Sequence, residues 1–364
     1  MRILFFILII IHGAIHLMGF FKAFQLAEIK QLSLSISRFM GAIRLVVALL
    51  FILAGFIYFF KINWWHWLAL VAVAISTVLI VYYWRDAKFG TVLNVLVFLV
   101  ALISLSSSIF NNKVAHEIDD LKQKAAAANL AVIDEQTIEN LPYPVQNWLR
   151  NSELIGTEKV NLVWLKQVAK MKMKPEQEDW SHATAEQHFT VPEPAFVWKV
   201  NMQMAPFIEI TGRDKFVDGK GQMLIKLFSL INIVNEKGKK MDEGTLQRFL
   251  GEIVWFPSAV TSPYIKWETI DSLSAKATLT YKGINGSGTF YFNENGDFIK
   301  FSCLRYKGNE ADSKRYQWII EVEEHAIKNG IKIPVKMKAS WQLENKLWTW
   351  LELEVVDIRY NNHQ

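Results

Sequence analysis

The sequence predicts an α-helical transmembrane bundle followed by an α+β outer domain, whose curved antiparallel sheet, a half-barrel, carries a helix across its mouth. Three observations predict it. Four apolar runs of bilayer length fill the first 110 residues, the hydrophobic period changes from 3.6 to 2 near Val160, and Xaa-Gly dipeptides of hairpin type punctuate the remainder of the chain. The chain accordingly divides into a four-helix transmembrane domain over 1–110, a helical connector over 111–156 and an antiparallel β half-barrel over 157–364.

Composition narrows the function class. With 51% hydrophobic and 21% charged residues and a mean hydropathy of +0.15, the chain is too apolar to be disordered. Of its 40 basic and 35 acidic residues, 8 and 2 fall in residues 1–110, which leaves 32 and 33 for the rest. The basic excess therefore belongs to the membrane part. With no basic stripe left to displace counterions from phosphates, nucleic acid is excluded as a partner. The single cysteine, Cys303, excludes a disulfide framework and any cysteine-based zinc site. Between apolar neighbours in Phe301-Ser302-Cys303-Leu304, it reads as a buried small hydrophobe.

The apolar runs cover 3–21, 41–60, 66–84 and 90–109, each long enough to cross a hydrocarbon core of about 30 Å. Trp64, Trp65, Trp67, Tyr82, Tyr83 and Trp84 cluster at their ends, where amphipathic rings favour the interface. Lys61-Ile62-Asn63 and Arg85-Asp86-Ala87-Lys88 are connections too short for anything but antiparallel neighbours. The first run is long for a signal-peptide core and no small-x-small cleavage site comes after it, so it reads as a retained span. Lys22, Lys30, Arg38, Arg85 and Lys88 on one side outweigh Arg2, Lys61 and Lys113 on the other. The imbalance predicts a multi-pass protein of the inner (cytoplasmic) membrane with its C-terminal domain outside the cytoplasm.

Polar residues within the bilayer are costly, so each needs a reason. His12 and His16 share a helical face at i, i+4. They read as interhelical hydrogen-bond formers, to carbonyls or to hydroxyls such as Ser76 or Ser104, helped by the close approach Gly13 and Gly19 allow. The competing reading is a haem-binding or proton-relaying redox pair. A bis-histidine haem would need His66 to reach inward or a dimer to supply the partner, so no haem or other cofactor is expected. Arg44 reads as snorkelling to the headgroups.

Lys122-Gln123-Lys124-Ala125-Ala126-Ala127-Ala128 is strongly helix-forming, and Leu141-Pro142-Tyr143-Pro144 breaks it, with Pro144 placed to open a short helix. Beyond it, alternation is plain in Phe196-Val197-Trp198-Lys199-Val200-Asn201-Met202 and in Ile333-Pro334-Val335-Lys336-Met337-Lys338-Ala339. Asp218-Gly219, Asn295-Gly296 and Asn329-Gly330 are type I′ candidates, and nine to eleven strands are expected. One helix interrupts them: Leu246, Phe249, Leu250, Ile253 and Val254 form an apolar stripe behind an Asp242 cap, ending at Trp255-Phe256-Pro257. The sheet faces expected to line the enclosed cavity carry Trp164, Trp198, Met202, Met204, Phe290 and Phe292. Such a face is ordinarily core; a neighbouring bilayer makes lipid an available ligand.

Four stretches carry a resemblance: His12-Gly13-Ala14-Ile15-His16-Leu17-Met18-Gly19-Phe20, Leu141-Pro142-Tyr143-Pro144-Val145-Gln146, Gly212-Arg213-Asp214-Lys215-Phe216 and Gly251-Glu252-Ile253-Val254-Trp255-Phe256-Pro257. Through them the chain resembles a family of bacterial membrane proteins with no assigned function. In shape alone, the outer domain is similar to the half-barrels of periplasmic lipoprotein and lipid carriers, and that similarity carries no catalytic residues with it.

Gly-x-Ser-x-Gly, Gly-rich phosphate-loop and His-Glu-x-x-His motifs are absent, so no catalytic or metal-binding residue is assigned. Glu323-Glu324-His325 reads as a solvated strand end. A polar constellation remains in Arg213, Asp214, Arg248 and Glu252, either a structural pairing of helix to sheet or a headgroup site. With Trp198, Met202 and Trp255 it forms the expected ligand-binding set, the partner being a membrane lipid or other apolar ligand. The alternative is an enzyme acting on an anionic or lipid substrate through Asp214, Glu252 and Arg213.

Overall fold

A computed structural model describes residues 2–125, 131–205, 208–344 and 346–361. The chain forms two compact units, Met1–Asn112 and Lys113–Gln364.

The first unit holds α1 (Arg2–Ala23), α2 (Arg38–Phe59), α3 (Trp65–Tyr82), the short α4 (Trp84–Ala87) and the first part of α5 (Gly90–Ala125). The four longer helices are long and apolar enough to cross a membrane. Several of their polar side chains turn inward and hydrogen-bond to one another. His12 Nε2 donates to Asn94 Oδ1 at 2.7 Å, and His16 Nε2 donates to Ser76 Oγ at 2.9 Å. The Ser76 hydroxyl donates in turn to Asn94 Oδ1 at 3.0 Å. Ser104 and His66 pair at 3.3 Å. Arg44 departs from expectation. It is buried, with its guanidinium 4.5 Å from the Tyr83 ring centroid, because Gly19 leaves room for its stem where a Cβ would collide with it.

Helix α5 continues past the fourth apolar run to Ala125, carried by the helix-forming sequence after it. From Lys113 onward it belongs to the second unit. Next come α6 (Glu135–Ile138) and α7 (Tyr143–Asn151), the latter opened by Pro144 as its sequence requires. The strands are β1 (Leu162–Met171), β2 (Ser181–Thr190), β3 (Ala195–Ala205), β4 (Ile208–Val217), β5 (Lys220–Leu227) and β6 (Ile231–Lys237). After α8 (Lys239–Glu252) and two 3-10 turns come β7 (Ile265–Asp271), β8 (Ser274–Tyr281), β9 (Ile284–Phe292), β10 (Phe298–Tyr306), β11 (Arg315–Lys328), β12 (Ile331–Gln342) and β13 (Leu347–Tyr360).

All thirteen belong to one curved, open antiparallel sheet ordered β6-β5-β4-β3-β2-β1-β13-β12-β11-β10-β9-β8-β7. Two meanders, β1–β6 and β7–β13, meet along the β1–β13 pair. The sheet has more strands than alternation reveals. Its edge strands β6 and β7 are mostly exposed, with only Ile265 of the two strands buried, and they are short, at seven residues each. Hairpins at Asp218-Gly219 and Asn329-Gly330 have positive φ at both positions, 53° and 75°, then 50° and 79°, as type I′ turns require. Lys282-Gly283 is a further such turn, at 49° and 79°. Asn295-Gly296 is not one. Only Gly296 has positive φ, and its amide donates to Asn293 O at 3.0 Å, a type I turn closed by a left-handed glycine.

Helix α8 lies on the concave face and buries Leu246, Phe249 and Leu250. At such burial, replacing Phe249 by Ala would cost about 3–5 kcal/mol. The predicted Asp242 cap is displaced: the cap lies four residues earlier, at Gly238 with φ 116°, and the helix starts at Lys239. Asp242 is buried within the first turns and instead accepts from Gly221 N at 2.8 Å and Lys220 Nζ at 3.0 Å, pinning helix to strand. Gly221 is required there, since a Cβ would lie 2.6 Å from Met241 O. At the other end of the core, Trp148 of α7 packs 5.7 Å from Phe292 and 6.1 Å from Phe298.

Candidate ligand-binding site

Strand alternation assigns faces before any contact is measured. Along β3, Phe196, Trp198, Val200 and Met202 point inward, and their cross-strand partners on β4 are Phe216, Asp214, Gly212 and Ile210. Asp214 therefore opens onto the concave side directly beside Trp198. Arg213, one residue away, points to the convex side. The two arginines of the predicted constellation thus part company.

On the convex side, Arg213 is 1% exposed and lies beneath the last turns of α5. Its Nε sits 3.1 Å from Glu117 Oε2, and its Nη2 donates to Gln222 Oε1 at 3.0 Å. Lys215 Nζ donates to the second Glu117 oxygen at 2.9 Å. His188, also on this face, is buried near Lys122 and Asp119. Burial first, then the Lys122 charge, lowers its pKa to about 4.

On the concave side, Arg248 of α8 bridges two carboxylates. Its Nη1 donates to Asp214 Oδ2 and its Nε to Glu252 Oε1, both at 2.8 Å. The guanidinium lies 4.7 Å from the Trp198 ring centroid, a cation–π arrangement in a desolvated setting. Gln187 Nε2 donates to the other Glu252 oxygen at 2.8 Å. Burial pushes both carboxyls upward, and Arg248 pulls against it.

Above this polar floor is a cavity of about 510 Å³, within the range of about 300–1,000 Å³ usual for small-molecule sites. Its walls come from β1, β3, β4, β5, β11, β12 and β13, and include Met171, Met202, Met337, Trp318, Trp341 and Leu353. Of the residues expected to bind a ligand, Trp198, Met202, Asp214, Arg248, Glu252 and Trp255 line this cavity, and Arg213 does not. Of the sheet-face residues, Phe290 and Phe292 are buried in the core around Trp148, Met204 is exposed, and Trp164 is covered by Arg359 at 4.9 Å. His325 is half-buried, with Nε2 donating to Phe298 O at 2.9 Å, so it is no solvated strand end. Cys303 is buried, and burial drives its thiol up to about 12. Among the described residues, no three His, Cys, Asp or Glu side chains converge as a metal site.

A family of unknown function, DUF6544, matches residues 131–353, more than half of the chain. The chain belongs to this family. The DUF6544 span contains every residue that lines the cavity and leaves out the four apolar helices. No curated protein matches the chain. Among solved structures, it is similar to a LolA superfamily protein from Nitrosomonas europaea, with 11% identity and a TM-score of 0.31 over 60% of this chain and 94% of that one. At this score the likeness has no bearing on function.

Within the DUF6544 span, sequence reading missed Gln187, Gln167 and Arg305. Gln167 Oε1 accepts from Trp198 Nε1 at 3.0 Å and fixes that ring. The available signal was parity: Gln167, Gln187 and Arg305 occupy inward positions of otherwise apolar alternations, where a polar side chain needs a partner.

Proposed function

We propose that this protein is a membrane-anchored, extracytoplasmic binder of a lipid or other hydrophobic ligand, serving as carrier, sensor or envelope-assembly factor. The cavity carries the reading: about 510 Å³ walled by tryptophan, methionine and aliphatic side chains, with polar groups gathered at its floor. An acyl chain entering it gains about 0.8 kcal/mol per buried methylene and needs no catalytic group. Four helices long and apolar enough to cross a membrane support the anchoring, which would keep the cavity domain where lipid is concentrated.

Native mass spectrometry and lipid extraction of the purified full-length protein test it. A co-purifying apolar ligand is the expected result, and a consistently empty, water-filled cavity would overturn the reading. The side of the membrane is tested by alkaline phosphatase and fluorescent-protein fusions at the C-terminus. An active phosphatase is expected; a fluorescent, phosphatase-inactive fusion would place the domain in the cytoplasm.

An enzymatic reading draws support from the two carboxyls with raised pKa facing one cavity. It loses Arg213, which faces the other side of the sheet, and both carboxylates are already engaged by Arg248. Binding retained in Glu252→Gln, without turnover of any phospholipid offered, would favour the carrier.

A further inference from the structure

The outer part of the chain is nearly neutral, with 32 basic and 33 acidic residues beyond position 110. Its cavity is not. Six basic side chains line it against two acidic ones, an excess of +4. The two acids, Asp214 and Glu252, are both committed to Arg248, and Glu252 also to Gln187. One guanidinium is left over. Arg305 of β10 lines the cavity and, among the described residues, its guanidinium makes no hydrogen bond or ion pair. It stacks 4.8 Å from the Trp318 ring centroid and 5.9 Å from that of Trp341, with Asp214 and Glu252 attracting it only from beyond ion-pair distance. Burial, and after it the Arg248 charge, disfavour its cationic form, and the attraction of Cys303, Asp214 and Glu252 only partly offsets them.

Among the residues that line the cavity, the buried side-chain groups without a partner are all donors. The indole N–H groups of Trp318, Trp348 and Trp350, on residues lining the same cavity, are buried without an acceptor. Lys172, Lys174 and Lys307 stand farther out, the first and last over Trp180 and Trp348, with no carboxylate in ion-pair reach among the described residues. A cavity with surplus donors and cations, and with its own carboxylates engaged, suits an occupant that brings acceptor oxygens and negative charge.

We propose that the occupant is an anionic single-chain amphiphile, whose carboxylate or phosphate is held by Arg305 between Trp318 and Trp341 while its chain fills the apolar walls. This rests on the cavity being a hydrophobic-ligand site, and names the chemical class of the ligand. A cavity of about 510 Å³ has the size of a site for one small molecule, which selects a single chain.

The test uses the full-length protein in phosphatidylcholine nanodiscs. Tryptophan quenching is titrated with 9,10-dibromostearate, with the matching dibromostearyl alcohol and with a long-chain alkyl phosphate carrying the same bromines. Quenching is corrected for empty-nanodisc partitioning by short-chain controls. The acid and the alkyl phosphate are expected to bind about tenfold or more tightly than the alcohol, the difference a charge-assisted contact supplies. In Arg305→Met the ratio of acid to alcohol affinity is expected to collapse toward one, and Arg305→Lys should keep part of it. Should Arg305→Met fail to fold, Arg305→Lys and Arg305→Gln read the same ratio. Equal affinity of acid and alcohol in the wild type overturns this proposal and leaves the apolar-ligand reading standing. Absence of binding by all three probes overturns both. An acid preference that survives Arg305→Met overturns the placement. Displacement of dibromostearate by inorganic phosphate alone shows a free-anion site, and also overturns it.

Discussion

Arg213 and Asp214 are consecutive on β4 and serve opposite faces of the sheet: Arg213 grips Glu117 on the convex side and Asp214 grips Arg248 on the concave side. One dipeptide therefore ties both the end of α5 and the body of α8 to the same strand. Strand β4 is the shared wall through which helix packing outside and cavity shape inside are coupled.

The outer tie is a buried charge pair, so breaking it leaves a cation without a counter-ion. Glu117→Ala is expected to lower stability by about 3–5 kcal/mol. Lys215→Ala, removing the more exposed partner, should cost under about 1 kcal/mol. Equilibrium unfolding of the two variants ranks them, and equal losses would show that Arg213 does not depend on Glu117.

Inside, Arg248→Met strands two buried carboxylates and should destabilise by about 3–5 kcal/mol. Adding Asp214→Asn and Glu252→Gln to that variant removes the stranded charges and should recover much of the loss. No recovery in the triple variant, by the same unfolding measurement, would mean that Arg248 acts through its packing on Trp198.

Ala339, buried on the cavity wall, offers a way to fill the space. In Ala339→Phe, ligand co-purification should fall sharply while stability changes by no more than about 1–3 kcal/mol. Undiminished ligand in a folded variant would place the ligand elsewhere.

His188 gives a pH dependence of definite sign. Its folded pKa, about 4, lies below the ordinary histidine value of 6.5, so between those values the unfolded chain binds more protons. Its contribution is present above pH 6.5 and is lost as pH falls toward 4, by up to about 3 kcal/mol at about 1.4 kcal/mol per pKa unit. Asp214 and Glu252, with raised values, work in the other direction: their contribution is present at low pH and is lost as pH rises through their folded values. The difference between wild type and His188→Gln isolates the histidine. Parallel stability curves from pH 6.5 to 4 would refute its burial as a neutral ring.

In the helical unit, Asn94 is the hub. It accepts from His12 and Ser76 and donates to Thr77 at 3.0 Å. Asn94→Ala should cost more than His12→Ala, each lost bond being worth about 0.6–2 kcal/mol. The visible spectrum is the companion check. A Soret band abolished by His12→Ala or His16→Ala would convert this hydrogen-bonded cluster into a haem site.

Legibility in the sequence tracks the number of faces an element buries. The four apolar helices, the Leu246–Phe249–Leu250 stripe and the inward rows of β3 and β12 stand out because one face is consistently apolar. Strands β6 and β7 are short and bury little, so their alternation, Ile231 and Ile233 in one and Ile265 and Trp267 in the other, runs over only two apolar positions. At the site, Trp198, Asp214, Arg248 and Glu252 can be found because charges beside large aromatics are conspicuous. Adjacency groups Arg213 with them, where parity separates it. Arg305 escapes notice because a single arginine in a strand looks like surface until the odd-numbered row of Phe301 and Cys303 is traced through it.

The seam between the two meanders has a consequence for biosynthesis. Strand β1 finds its outer neighbour only in β13, and Asn161 N donates to the side chain of Asn361, 200 positions later in the chain. At about 5–20 residues per second, β1 waits on the order of tens of seconds with one edge unpaired. An unpaired strand edge is a template for aggregation, and lysine is a common guard against it. Lys166 and Lys170, exposed on the outward row of β1, stand on that edge. Their positive charge matters most while the protein is still unfinished, before Asp357 and Glu352 arrive opposite them.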